Sequence, residues 1–426
     1  MSGNSPLKTY GWQIGKALIS ILVVITYSRF LGAVGRGQMS IYLLYLQFVL
    51  MIGELLAGSA MANWLVKYKS GQILPWMALF STSILVVSGV VLRFVIKLPT
   101  EILFPLLVQG LGLAWLNIQY NIYQSKGWIG RRNKLQMGLE LCKLLTILGA
   151  VFFFPLNNLI FHGGKVQEML VILASVTIMF LCLSVYKTLS VWKEAFAVQL
   201  PPKGIFFEGL WAQFGHVVLF FMNKFPLWLV AHFFGDSAAG VFANSLLIVD
   251  TIWIFSGSFG TVIHSRVIRH SNIHYHQRLI QRYCDFSLMG TIVLCIGVIL
   301  VPNTIYVGIF GSNFEHLKST TMWLIPGILF MGLASTLGNY MHAIHHFKRI
   351  FLNHLVSFLL MMGVFLLGYF QDLDQRIILL GMNFGYLMLL LLHLNSTKWV
   401  FKNDFNLKFN ILLIRRLISI KLRVGR

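Results

Sequence analysis

Negative charge is what this sequence has least of: 13 Asp and Glu in 426 residues, with charged residues of both signs making up only 11%. Soluble domains carry about 25% charged residues, so a water-soluble enzyme of two or three domains is excluded although the length would allow one. Cysteine is scarce too. The four at Cys142, Cys182, Cys284 and Cys295 fall in apolar stretches, Cys284 at an edge; that excludes a disulfide scaffold and leaves them as small apolar fillers. No Gly-rich nucleotide loop of the Walker type occurs, which excludes ATP-driven transport within one chain. No small-residue cleavage site follows the first apolar run, so that run is expected to stay in the mature protein.

What is abundant is apolar surface. Hydrophobic residues make up 57% of the chain, with 35 Phe and a mean hydropathy of +0.76. A bilayer core about 30 Å thick needs roughly 20 apolar residues per helix. Such runs occur at 14–34, 38–62, 73–96, 100–123, 135–155, 167–186, 209–234, 239–262, 284–309, 320–343, 351–370 and 377–395. The sequence therefore predicts an all-α integral membrane protein with about twelve transmembrane helices. A cytoplasmic N-terminus (1–13), a first six-helix lobe (14–186), a cytoplasmic linker (187–208), a second six-helix lobe (209–395) and a tail (396–426) complete the plan. Loops are short, and none has room for a folded extramembrane domain.

The chain carries 34 Lys and Arg and a formal net charge of +21. A basic excess of that size suits nucleic acid, anionic lipid or an acidic substrate equally, so placement decides. Twenty-four of the bases lie at the termini and in loops after even-numbered spans, five in loops after odd-numbered spans and five within spans. Cytoplasmic loops retain positive charge, so both termini are expected on the cytoplasmic side. The nucleic-acid reading dissolves, because no basic domain exists.

One internal match organises the chain. Phe30-Leu31-Gly32, followed after four residues by Gly37, recurs as Phe233-Phe234-Gly235 and Gly240 at an offset of 203, and the same offset sets His232 against Arg29. Each copy ends one span and opens the next, where glycines allow a positive φ or a close approach. A parallel duplication of six helices relates its halves by an axis along the membrane normal, a plan common in secondary transporters, and places substrate between them.

The segments RFLGAVGRGQMSIY (29–42), FFGDSAAGVFANSLL (233–247) and VPNTIYVGIFGSNFEHLKS (301–319) resemble those of polysaccharide and O-antigen flippases, members of the multidrug/oligosaccharidyl-lipid/polysaccharide exporter superfamily. Ile309-Phe310-Gly311-x2-Phe314 is similar to that family's aliphatic-Phe-Gly-x2-aromatic turn, and short basic turns with Lys126, Asn133 and Lys348 stand where the family has them. The resemblance implies two six-helix lobes with pseudo-two-fold symmetry in a V shape like that of multidrug (MATE) exporters, and a central cavity lined by the first and seventh helices. It also implies alternating-access movement of a lipid-linked oligosaccharide in a bacterial inner membrane. Where relatives carry an Asp-Arg type pair in the seventh helix, this chain has Asn223-Lys224.

Ionisable groups within spans are costly, about 2.5–3.5 kcal/mol each on insertion scales, and need water, a partner or a ligand. Lys16, Arg29, Arg93, Lys143 and Lys224 are set against Glu54, Glu140 and Asp250, leaving aside Glu101, Glu168 and Asp285 at the second residue of their spans, and a pyrophosphate head group would supply the missing negative charge. Lys224, near the middle of the seventh span, ranks first as a substrate contact, followed by Arg29, Arg93, Lys16 and His232. Lys16 also reads as an interfacial snorkelling residue beside Trp12. Glu140 and Lys143 share a helix face as a structural ion pair, while Glu54 and Asp250 are candidate coupling or cavity acids. Gly32, Gly37, Gly235, Gly240 and Gly311 mark the turns. His342, His345 and His346 read as a solvated interfacial cluster rather than a metal site, His274 and His276 as part of a basic loop facing anionic lipid, and Trp and Phe at span ends as belt residues rather than a sugar-stacking platform. The tail from 398 alternates apolar residues with bases at near-helical spacing and is expected to lie on the cytoplasmic leaflet.

These readings favour a flippase without catalytic residues, metal or cofactor, whose partners are a polyprenyl-pyrophosphate-linked oligosaccharide, membrane lipids and other polysaccharide-assembly proteins. A multidrug cation antiporter of the same superfamily is the nearest alternative, though a cavity for cations should be acidic. A membrane polysaccharide polymerase is the enzymatic one, though the outer loops are short and contain no Asp-x-Asp.

Overall fold

The computed structural model describes residues 6–53, 64–65, 68–94, 97–126, 128–153, 165–195, 199, 205–267, 272–370 and 374–401. Among these the chain is all helical. Its long helices are Pro6–Gly53, Ser70–Phe94, Thr100–Ser125, Ile129–Phe153, Lys165–Lys187, Ile205–Val267, Ile273–Leu300, Leu317–Ala343, Phe347–Tyr369 and Gln375–Val400. Gly32 divides the first and Gly235 divides the sixth, which makes twelve. Among the described residues nine runs are long and apolar enough to cross a membrane, two of them carrying one of these breaks. Glu54, the end of the predicted second span, and the tail beyond residue 401 lie outside the described residues.

The helices depart from the hydropathy reading in four places. The predicted span 284–309 is two helices, Ile273–Leu300 and Asn303–Phe310, because Pro302 cannot continue a helix and serves as the N-cap of the second. The first of the two starts eleven residues earlier than its apolar run, where Asn272 caps it by accepting from the backbone amides of His274 and Tyr275. His274 and His276 are therefore helical rather than in a loop, and His276 is buried against the edge of Tyr340. Cys284 sits inside this helix and is buried; all four cysteines are free. Within the predicted linker, Leu189–Ala195 forms a short helix, and Arg131, Arg132 and Lys134 lie on the first turns of a helix, not in a loop.

The chain forms two compact units. One comprises Met1–Leu247 with Pro302–Thr320, the other Ile248–Val301 with Thr321–Arg426. In the first, Tyr27, Met39, Tyr42, Leu46 and Leu106 belong to one buried apolar cluster, and the Tyr42 hydroxyl donates to Gln109 Oε1 at 2.8 Å. The second unit shows how a break within a helix is tolerated away from water. Pro326 interrupts the ladder of helix 317–343, and Asn383 from helix 375–400 reaches across it. Asn383 accepts from the Gly327 amide at 2.8 Å and donates to the Trp323 carbonyl at 2.7 Å. Backbone groups freed by proline in a membrane helix must find such partners. Small hydroxyl pairs, Ser256 with Thr291 at 2.9 Å and Thr336 with Ser287 at 3.2 Å, bind helices 205–267, 273–300 and 317–343 to one another.

Candidate functional site: the paired glycine turns and the cations around them

The two copies of the repeated turn have the same backbone. Gly32 has φ 67° and ψ −173°, and Gly235 has φ 80° and ψ 174°. L side chains rarely adopt a positive φ, so glycine lets each long helix break and restart within one residue. The turns also face each other. A Cβ at Gly37 would collide with the Asp236 carbonyl, and one at Gly240 with the Ala33 carbonyl. Ala33 and Asp236 are related by the offset of 203 that relates Gly37 to Gly240, so the two contacts are one contact seen from both sides of a local two-fold axis. The Gln38 side-chain amide adds a bond to the Asp236 carboxylate at 3.0 Å. Gly311, at φ 109°, closes helix 303–310, and Asn313 in the following turn is the neighbour that a side chain at Gly32 would meet.

One turn beyond Gly32 stands a cation that the sequence reading assigned to an outer loop. Arg36 is only 5% exposed. Its Nε donates to Asn244 Oδ1 at 2.7 Å, its Nη1 to Ser40 Oγ at 2.5 Å, and the guanidinium carbon lies 5.1 Å from the centroid of Tyr27. Asn244 donates in turn to Ser28 at 3.3 Å. No described carboxylate faces Arg36, so this network orients the charge without neutralising it. The hydropathy reading missed it because Arg36 sits among the glycines of the turn. The available signal was Ser40 four residues on, a helical spacing that places both on one face.

A second cationic group forms where the first helix packs on helix 129–153. Lys143 Nζ lies 3.0 Å from Glu140 Oε1, with both side chains largely buried. Glu140, Lys143 and Arg132 are the charges that act on Lys16. Lys16 is thus brought within electrostatic reach of the structural pair and of Arg132.

On helix 205–234, Lys224 is half-buried, and Trp228 and His232 follow it at steps of four on the same face. The His232 ring stacks on Trp228 with centroids 5.1 Å apart and planes 4° apart, and Trp228 stacks on Phe225 at 5.5 Å. These rings form a continuous ladder beside Lys224. Earlier on the same helix, Phe221 meets Phe48 at 5.6 Å, and the Gln213 amide donates to the Met51 carbonyl at 3.1 Å. Arg29 and Arg93 are exposed, and Arg93 donates to the Leu98 carbonyl in the connection after its helix at 3.0 Å. Asp250 belongs to the other unit and acts on Tyr386. Asp285, buried in that unit, was not counted from sequence because the apolar run began at the residue before it. No group of three or more metal-ligating side chains occurs among the described residues.

No protein-family model matches the sequence, and no curated protein matches it. Solved structures do. The lipid II flippase MurJ in an inward closed conformation aligns over 98% of this chain and 97% of its own, with a TM-score of 0.66 and 13% identity. A mutant of the Vibrio cholerae MATE transporter VcmN aligns over 94% of this chain and 98% of its own, with a TM-score of 0.65 and 12% identity. An inward-facing multidrug resistance MATE transporter of the MOP superfamily aligns over 94% and 96%, with a TM-score of 0.60 and 11% identity. The chain is a multi-pass membrane protein with the fold these transporters share.

Proposed function

We propose that the protein is a flippase that moves a polyprenyl-pyrophosphate-linked oligosaccharide, an O-antigen or capsular repeat unit, from the cytoplasmic to the outer leaflet of a bacterial inner membrane. Its two six-helix lobes, 14–186 and 209–395, rock about the paired glycine turns with both termini in the cytoplasm. No bond is made or broken, and no cofactor is required.

The observation that carries this reading is the sign of the charge buried in the first unit. Arg36 is held by neutral groups, and Lys16, on which Glu140, Lys143 and Arg132 act, adds a second cationic cluster. A cavity in such a field attracts an anion and repels a cation. A pyrophosphate is anionic at neutral pH, and Lys224 and Arg29 are the groups assigned to it, by charge-assisted hydrogen bonds. Phe225, Trp228 and His232 cover one another's faces and form an apolar wall on the helix that carries Lys224.

Likeness to MATE transporters favours a second reading, a cation antiporter. That reading needs a buried acid free to exchange cations; in the first unit Glu140 is occupied by Lys143, and Glu168, whose Oε2 is buried without a hydrogen-bond partner, is the acid it would use. Reconstitution in liposomes separates the readings. Appearance of lipid-linked oligosaccharide in the opposite leaflet supports the flippase, cation or dye efflux without glycan movement supports the antiporter, and chain lengthening makes the protein a polymerase.

A further inference from the structure

The first unit contains a cavity of about 500 Å³ where the ends of three helices meet. Its mouth carries three bases, Arg131 and Lys134 from helix 129–153 and Lys187 from the last turn of helix 165–187. Its walls are the apolar faces of Leu135, Phe180 and Leu183, with Tyr123 beside them. No acid lines it, and no described carboxylate pairs with any of the three bases. Arg131 is held in place by Trp128, whose ring centroid lies 4.8 Å from the guanidinium carbon.

Lys187 complements the C-terminal dipole of its own helix, but Arg131 and Lys134 oppose theirs. They sit in the first turns of a helix that carries no acid there, where negative charge is favoured. Helix geometry therefore does not account for their clustering. By the charge distribution along the chain this end faces the cytoplasm, and basic pockets between membrane helices on that side suit anionic head groups. The walls continue onto an open apolar strip. Met179, Leu183 and Tyr186 are 48%, 47% and 75% exposed along helix 165–187, at spacings that put them on one face.

We infer that this cavity is a binding site for an anionic phospholipid. The phosphate lies among Arg131, Lys134 and Lys187, the glycerol region against Tyr123 and Phe180, and an acyl chain along Met179 and Leu183. The site is separate from the paired glycine turns and does not depend on what the protein transports.

Native mass spectrometry of the full chain in detergent tests it, with phosphatidylglycerol and phosphatidylcholine as probes. Phosphatidylglycerol should be retained in preference to phosphatidylcholine. The triple variant Arg131→Gln, Lys134→Gln, Lys187→Gln should bind it more weakly by roughly a hundredfold, each base near a membrane surface contributing about fivefold. Should the triple variant aggregate, the single Lys134→Glu should still weaken binding by more than tenfold. A control that removes cytoplasmic charge elsewhere, Arg278→Gln with Arg282→Gln, should keep wild-type retention. Equal binding by wild type and the charge-removed pocket variant would overturn the inference. So would an equal loss in the control, which would leave only net charge, or displacement of the lipid by inorganic phosphate, which would make the site one for a soluble anion.

Discussion

Replacing Gly37 or Gly240 by alanine adds a single methyl group where the two long helices of the first unit touch backbone to backbone. Each new Cβ would overlap a carbonyl group, Asp236 in one case and Ala33 in the other. Overpacking costs about 1–3 kcal/mol where side chains can shift. Here the obstacle is main chain, so the upper end, about 3 kcal/mol, is expected. For a large domain roughly 2 °C of melting temperature is lost per kcal/mol, which makes about 6 °C for either variant. Because the two contacts are mates across the local two-fold axis, the losses should be alike. Combined, they should total less than their sum, since the separation forced by one methyl makes room for the other. Gly149→Ala and Gly297→Ala serve as controls: both lie within helices with nothing within 4 Å of the added carbon, and neither should lower stability. Heating in detergent followed by size-exclusion chromatography measures all of them. Wild-type melting for Gly37→Ala, or a loss in only one of the pair, would refute the reasoning.

Further expectations concern the buried charges. Lys224→Ala should abolish glycan export at normal abundance, and unchanged transport would remove Lys224 from the substrate path. Arg36→Lys keeps the charge but loses the fork that spans Asn244 and Ser40. A double-mutant cycle with Asn244→Ala should show about 1.5–3 kcal/mol of coupling, the range for hydrogen bonds to a charged group, and additive effects would mean that the network is incidental. Glu140→Gln leaves Lys143 without its partner and should cost about 3 kcal/mol, the low end for a broken buried pair. Adding Lys143→Met should restore most of that loss in thermal melting, and no recovery would count against the pair as the cause.

The spans were legible because lipid demands long apolar runs, and the breaks were legible because the repeated glycines mark them. Helix 273–300 shows where hydropathy stops being informative. Its first eleven residues include His274, Arg278 and Arg282, which read as loop, yet they continue the helix from the Asn272 cap. Arg36 shows the opposite failure. Spacing of the apolar runs puts it in an outer loop between two spans, whereas Gly235 and Gly32 each complete their turn within one residue and the next helix begins at once. The close approach of Gly37 to Asp236 had no signature beyond the repeat itself, since it is a long-range contact made by backbone. The aromatic ladder was legible as spacing, Phe225, Trp228 and His232 at steps of three and four. Rings near a span end fit a membrane belt equally well, and only the observed stacking separates the two arrangements.

Proteoliposomes show directly which cargo the protein moves. Purified protein is reconstituted with a polyprenyl-pyrophosphate-linked oligosaccharide loaded in one leaflet, and a membrane-impermeant lectin or glycosidase reports glycan reaching the other. The account predicts movement that needs no added nucleotide, is lost with Lys224→Ala, and leaves the glycan at its original length. Efflux of a cationic dye with the glycan left in place, or the same glycan movement with and without the protein, would contradict it.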